Sequence, residues 1–306
     1  MSLVSGKTIL EKAKREKRAV GAFNFTSLEQ LKAIVSACKK LNTEAFLSVS
    51  ESAIGFLGIE NVVSMTKNET KNTNINFALH LDHGKSFEMC KTCVEAGFTS
   101  VMIDASKLCF DENVKLTKKV CDFAHSYGVS VEGELGKIEG VEDNTLSRES
   151  VLTNPNDAQN FINLTGVDSL AISIGTSHGA YKFKGESVLD IKRLKEINEK
   201  TNGFLLVLHG ASSVNKELVE NFSKVGGDLD SAKGVSDEMI VSAIENGICK
   251  INVDTDNRIA FTTGVRQSLQ NPSVFSPREY LLQGICEMQK EVEKRINIFN
   301  NFCQNK

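Results

Sequence analysis

Short apolar runs and amphipathic stretches alternate along this chain without a break in composition, and that rhythm limits the folds open to it more than any other feature. Runs rich in β-branched, aliphatic and aromatic residues occur at 20–25, 45–50, 77–81, 100–104, 130–135, 169–174, 205–208 and 250–253. Between them, stretches such as 28–41, 87–96, 113–125, 157–164 and 190–200 return apolar residues at helical spacing. Strand–helix alternation specifies parallel strands joined by crossover helices. Eight such units favour a closed (β/α)8 TIM barrel over an open doubly wound sheet, and no Gly-x-Gly-x-x-Gly follows the first strand to argue otherwise.

The 306 residues exceed the roughly 250 of a typical barrel. Two polar segments and a C-terminal extension account for the surplus, so one domain over 1–306 is expected. Segment 137–154, rich in Gly, Glu, Asp and Ser, is too polar for a core helix and too long for an ordinary connection, and reads as an active-site loop. Segment 179–186 reads as a second. Pro155 marks where helix resumes, and 278–302 reads as a long helix or helix pair that covers the barrel or packs on a partner subunit.

A net charge of -3 argues against a broad basic face for nucleic acid, while leaving room for a small cationic pocket. No apolar run approaches a membrane span or a signal peptide, and eight scattered cysteines read as reduced, mostly buried thiols, so a cytoplasmic location is expected. Cys90 and Cys93 form a lone C-x-x-C within a helical pattern, a weak signal for redox or metal chemistry.

The polar residues gather where the strands end. In a barrel each strand delivers a group to the same rim: Asn24, Ser50, Asp82 with His83, Asp104, Glu134, His178, His209, and Asn252 with Asp254. That rim is the catalytic face of the fold. Any single histidine here reads most simply as a hydrogen-bonded structural residue, but three of the five in the chain, His83, His178 and His209, fall at matching positions. Three neutral imidazoles with an open fourth position suit a catalytic zinc, with cobalt or ferrous iron as substitutes of similar ligand preference. Asp82, beside a ligand, either orients it or serves as acid and base. Strand parity turns His80 to the face opposite His83, and His125 lies on a helix away from the rim, so both read as structural. Gly179 and Gly210 leave backbone N–H groups open to an anion, and Ser212, Ser213 and Thr255 add hydroxyls, which together suggest a phosphate nest after the seventh and eighth strands.

Seven words of the sequence carry a resemblance. Gly21-Ala22-Phe23-Asn24, His80-Leu81-Asp82-His83-Gly84, 100–106 (SVMIDAS), 131–136 (VEGELG), Gly175-Thr176-Ser177-His178-Gly179, His209-Gly210-Ala211-Ser212-Ser213 and 250–256 (KINVDTD) resemble class II fructose-bisphosphate aldolases, in family order across nearly the whole chain. The resemblance implies a zinc-dependent reversible cleavage of fructose 1,6-bisphosphate to dihydroxyacetone phosphate and glyceraldehyde 3-phosphate through an enediolate, in glycolysis and gluconeogenesis. It implies His83, His178 and His209 as metal ligands, Asp82 as acid and base at the C4 hydroxyl, and Glu142 as the group exchanging a proton at the dihydroxyacetone phosphate carbon. Asp104 and Glu134 match a polar pair that holds the metal away from its catalytic position. Gly179, Lys182, Gly210, Ser212, Asn252, Asp254 and Thr255 match positions holding dihydroxyacetone phosphate, and Asn24 lies beside them. Ser50, Arg258 and Arg278 resemble contacts to the second phosphate, with Arg278 reaching from a neighbouring subunit of a homodimer or homotetramer. A monovalent cation is a further cofactor to consider. The chain departs from the family at Lys107-Leu108-Cys109, where a histidine-rich turn is common, and at Glu139, where a smaller residue is usual.

The nearest rival is a tagatose-1,6-bisphosphate aldolase, which shares the metal site. Asp254 with Arg258 resembles the fructose-preferring pattern, whereas tagatose enzymes carry a small residue at the Asp254 position. A metallohydrolase barrel would place an H-x-H pair on the first strand, where Ala22-Phe23-Asn24 offers none. A non-catalytic sugar-phosphate-binding protein that kept the fold is a third reading, disfavoured by the intact candidate machinery.

Overall fold

Alternating side chains along each apolar run find partners on both faces, and the runs close into a ring. The computed structural model describes residues 2–137, 139–142, 145–147, 151–178, 188–229 and 234–300, with backbone alone for 139–142, 145–147 and 177–178. Its strands in chain order are β1 (Val20–Asn24), β2 (Ala45–Ser50), β3 (Phe77–Gly84), β4 (Ser100–Ile103), β5 (Ser130–Leu135), β6 (Glu139–Glu142), β7 (Thr145–Ser147), β8 (Ser169–Ile172), β9 (Ser177–His178), β10 (Leu206–Leu208) and β11 (Ile248–Val253). Eight of them form a closed barrel in the order β1-β11-β10-β8-β5-β4-β3-β2. Every pair in the ring is parallel, for example Val20 against Lys250 and Ser50 against Asp82. The strands fall where the sequence places them, with ends differing by at most three residues.

The remaining strands form a small sheet in the order β7-β6-β9. Segment 137–154, expected to be irregular, therefore contains a hairpin, and its strand β6 pairs Gly140 with His178 of β9. Two segments of separate rim loops are thus tied together by backbone hydrogen bonds.

Outer helices begin and end on chemical signals. Ser27, Ser86 and Ser236 each accept a bond from the backbone N–H three residues on, satisfying a donor the helix leaves orphaned. Most of the apolar core lies between these helices and the ring, as with Phe77, Leu79 and Leu81 of β3 against Cys90, Cys93 and Val94. The C-x-x-C thiols belong to that core: burial pushes the Cys93 thiol up to about 12, which leaves it inert.

The barrel interior is layered. At its N-terminal end Val20, Ala22, Phe46, Ala78, Leu205 and Cys249 pack with Ile9, Leu10 and Ala13 of the helix Gly6–Arg15, a plug the strand–helix reading does not include. Met102, Ala171 and Val207 form the layer above, and polar groups occupy the C-terminal end.

The extension is one helix, Pro277–Asn300, lying antiparallel on Thr255–Leu269. The two approach so closely at Gly264 that an added Cβ would sit 2.4 Å from the Gln283 carbonyl oxygen. Phe299 then accepts a bond from Ala19 N–H at the foot of β1. Among the described residues no helix is long and apolar enough to cross a membrane.

The plug generates a stability prediction. A Cβ at Gly6 would lie 2.6 Å from Phe46 Cε1 and 2.9 Å from the Ser100 and Ser130 hydroxyls. Gly6→Val is expected to lower stability by about 1–3 kcal/mol through overpacking, read as a lower urea midpoint. An unchanged midpoint would show that the helix does not seal the barrel floor.

Candidate metal centre

Strand β3 delivers two successive residues to the axis of the barrel. Alternation alone would send Asp82 and His83 to opposite faces, but His83 has φ 49° and the register between β3 and β4 slips between Leu81 and Gly84. Both side chains therefore point inward. Gly84 permits the bend, since a Cβ there would meet the Met102 carbonyl oxygen at 2.7 Å. The same bulge overturns the parity expectation for His80: it too faces the interior, fully buried, and bonds Ser100 Oγ at 2.8 Å.

The centre forms around two imidazoles. His83 Nε2 faces His209 Nδ1 at 2.8 Å. His83 donates from Nδ1 to Asp104 at 3.1 Å, with Glu134 Oε2 at 3.8 Å. His209 donates from Nε2 to Glu132 at 2.7 Å. An imidazole in its neutral form has one N–H, and spending it on the carboxylate leaves a lone pair on the nitrogen that faces the other ring. Lone pairs at that separation repel unless a cation or a proton lies between them, and a pair of imidazoles flanked by carboxylates suits a divalent transition metal.

Among the described residues two overlapping sets of groups fit such an ion: Asp82, His83 and His209, and His83, Asp104 and Glu134. They share His83. Burial, with His83 and Lys250 nearby, holds the His209 pKa well below the ordinary imidazole range, so its ring is neutral and available as a ligand. Burial opposes ionisation of Asp82, but His83, His209 and Lys250, with a hydrogen bond from Asn24, overcome it and leave the carboxyl below its usual range. Burial likewise opposes ionisation of Asp104, and bonds from His83 and Ser106 outweigh it.

Asp82 is held at both oxygens. Asn24 donates to Oδ2 at 2.7 Å and Asn252 to Oδ1 at 2.8 Å. The side-chain carbonyl oxygens of both asparagines are buried without a hydrogen-bond partner among the described residues, a condition proteins rarely leave unanswered.

Beyond β10 and β11 lies a turn built for backbone donors. Gly210 takes φ 60°, and the Asp254 N–H donates to Ser212 Oγ at 3.4 Å. The fully buried carboxylate of Asp256 accepts from Ser213 N–H at 2.9 Å and Val214 N–H at 2.8 Å, fixing the far side of the turn. Asp254 also accepts from Arg258 Nε at 2.8 Å. Ser50 ends β2 and caps the next helix through Ala53 N–H, in register with Asp82. Thr255 begins the helix that follows β11.

Other expected residues stand apart. The backbone of β9 carries His178 past β8, and β6 carries Glu142; their side chains, with Gly179 and Lys182, lie outside the described residues. Arg278 is exposed in the first turn of Pro277–Asn300. From Asp256 the helix rises to Gly264, which is level with Gln283, so Arg278 lies about 20 Å along the helix pair from the rim at 1.5 Å per residue. His125 bonds Asp168 at 2.8 Å, away from the rim as expected.

Sequence reasoning missed Glu132, Lys250 and Asp256. Glu132 and Lys250 each precede a rim residue by two positions, Glu134 and Asn252. On a strand that spacing puts them on the same inward face one layer deeper, and a charged residue between apolar neighbours there was the available signal.

Asp256→Asn leaves one of its two backbone donors facing an amide. Losing such a bond costs about 1–3 kcal/mol, so amide hydrogen exchange at Ser213 and Val214 is expected to accelerate by about tenfold or more. Unchanged exchange at both would remove Asp256 as the anchor of the turn.

Comparison with known proteins agrees with this geometry. Residues 4–304 match the family described as Fructose-bisphosphate aldolase class-II. A fructose-bisphosphate aldolase of Helicobacter pylori is 45% identical over 303 residues, covering 98% of each chain. One of Thermus caldophilus is 43% identical over 302 residues, also covering 98% of each. Among solved structures, the YdjI aldolase from Escherichia coli K12 superposes with a TM-score of 0.81 at 26% identity, covering 99% of this chain and 100% of that one.

Proposed function

The chain belongs to the class-II fructose-bisphosphate aldolase family, aldehyde-lyases that take a sugar bisphosphate, and we propose that its chemistry is carried by the junction of Asp82, His83 and His209. The observation behind this is the pair of facing imidazole nitrogens at 2.8 Å, each ring anchored by a carboxylate on its other side. His83, His209 and His178 are the ligands in this reading, and zinc is the metal. Bound there, the metal supplies Lewis-acid stabilisation, worth several kcal/mol, of the negative charge that develops as the C3–C4 bond breaks.

The protein's own groups do the rest. Asp82 removes the proton of the C4 hydroxyl in cleavage and returns it in condensation. Its lowered pKa keeps it ionised as a base, and its two asparagine donors hold both oxygens in place. The buried carbonyl oxygens of Asn24 and Asn252 are suited to accept from substrate hydroxyls. Glu142 exchanges the proton at the dihydroxyacetone phosphate carbon.

Phosphate binding divides between two groups of residues. Gly210, Ser212, Asn252, Asp254 and Thr255, with Gly179 and Lys182, hold the dihydroxyacetone phosphate half. Ser50 and Arg258 receive the second phosphate, together with Arg278 of another subunit. The distance of Arg278 from its own rim, and the exposed Phe275 (89%) beside it, favour that exchange within a homodimer or homotetramer. Asp104 and Glu134, sharing His83, form a second resting place for the metal. The pairing of Asp254 with Arg258 at 2.8 Å supports fructose over tagatose bisphosphate. One domain carries all of this, in the cytoplasm, where the free cysteines of the described chain stay reduced.

Chelation is expected to abolish cleavage of fructose 1,6-bisphosphate, and zinc or cobalt to restore it, measured by a coupled assay for triose phosphate. Borohydride added with substrate is expected to leave activity intact, and capture of a covalent lysine adduct would overturn the mechanism. Asp82→Ala is expected to keep its metal by elemental analysis while losing cleavage by about 10²–10⁴-fold, the usual contribution of a positioned acid–base group. Turnover within a fewfold of the parent would take Asp82 out of the proton transfer.

A further inference from the structure

A buried charged chain runs beneath the metal centre, and the cleavage chemistry makes no use of it. Lys250 is 0% exposed and Glu132 1%. Lys250 Nζ donates to Glu132 Oε2 at 2.8 Å and lies 3.4 Å from His80 Nε2 and 5.3 Å from the centre of the Phe46 ring. Its three N–H bonds thus have three destinations. His80 in turn uses Nδ1 on Ser100 Oγ, which leaves its Nε2 as an acceptor for the lysine.

An ion pair in the middle of a barrel is not explained by stability. Desolvating two charges cancels most of their attraction, and an apolar pair of similar volume would serve the core as well. The pair has a directional consequence instead. With Oε2 committed to Lys250, Glu132 offers Oε1 to His209 Nε2–H at 2.7 Å. A neutral imidazole carries one N–H, so donation from Nε2 leaves the lone pair on Nδ1, the nitrogen that faces His83 and Asn252. The other tautomer would set the Nε2 lone pair against a carboxylate oxygen and turn an N–H toward His83.

We propose that Lys250 is a positioning residue that acts through Glu132 to hold His209 in the Nε2–H tautomer, presenting Nδ1 to the metal and setting metal affinity from inside the barrel. This rests on His209 being a metal ligand. Lys250 touches neither metal nor substrate. It fixes the rotamer of Glu132, and so reaches the metal through two hydrogen bonds. His80 and Ser100 complete the chain by holding the lysine in place.

The test measures zinc affinity by competition with a chromophoric chelator, and reads the tautomer from the imidazole ¹⁵N shifts of metal-free protein labelled at histidine. Removing one charge alone would strand the other and threaten folding, so two neutral double variants are compared, each checked by circular dichroism. Lys250→Met with Glu132→Leu removes the acceptor. It is expected to weaken zinc binding by about 10- to 100-fold and to give His209 shifts of mixed tautomers. Lys250→Met with Glu132→Gln keeps a neutral acceptor, and is expected to restore the Nε2–H tautomer and recover part of the affinity.

Parental zinc affinity and a single Nε2–H tautomer in the leucine variant would overturn the proposal, as would equal losses in the two variants. His209→Gln separates this from the underlying assignment: parental zinc affinity in that variant would show that His209 is no ligand, whereas its loss leaves the role of Lys250 to be decided by the double variants alone.

Discussion

Consecutive residues of a β-strand face opposite sides, and the centre of this protein exists because that rule is broken once. His83 adopts a left-handed backbone at φ 49°, a conformation that costs a residue with a side chain roughly 1–2 kcal/mol. The bend and the register slip beside it bring Asp82 and His83 to the same interior. Without them the candidate base and the candidate ligand could not meet His209. Gly84, with no room for a Cβ, lets the strand make the turn. Local strain of this kind persists where surrounding packing enforces it, and it gathers at functional sites.

The barrel supplies that enforcement by grading its interior from apolar to charged. The plug helix and the layer it meets are packed hydrocarbon, and beyond them Lys250, Glu132 and His80 lie buried in register with Val207, Met102 and Ser100, the lysine bonded to the other two. Only above that layer do Asp82, His83, His209 and Asp104 appear. His209 is thus supported from beneath by Glu132, which has its own partner in Lys250, and that is how an imidazole is kept in one orientation. The two carboxylates on the far sides of the rings, Asp104 and Glu132, belong to β4–β5 and its loops, whereas the rings come from β3 and β10. Closure of the barrel is what makes these distant segments neighbours.

A similar division holds at the rim. The turn after β10 is shaped by Gly210 and pinned by Asp256 from the helix that follows β11, so its donors are fixed by a residue more than forty positions along the chain. The small sheet β7-β6-β9 joins the segment bearing Glu142 to the segment bearing His178 through their backbones. Whatever displaces one of these segments acts on the other.

Much of this was legible from residue order. Parallel strands and crossover helices follow from periodicity, because a residue's face on a helix or strand depends only on its spacing. The rim positions Asn24, Ser50, Asp82, His209 and Asn252 follow from the same rule, since strand ends share one side of a barrel. The resemblance carried by words such as His80-Leu81-Asp82-His83-Gly84 extended the reading to Glu142 and Arg278. What residue order left open was decided by closure of the ring and by one bend. Parity misplaced His80 because a bulge is a tertiary compromise between β3 and β4 that spacing does not encode. Glu132 and Lys250 went unassigned because a charge inside a strand gains meaning only when the opposite charge arrives from across the barrel, more than a hundred residues away. Local spacing determined which residues could face inward, and only the folded ring, by setting distances across its interior, decided which of them meet.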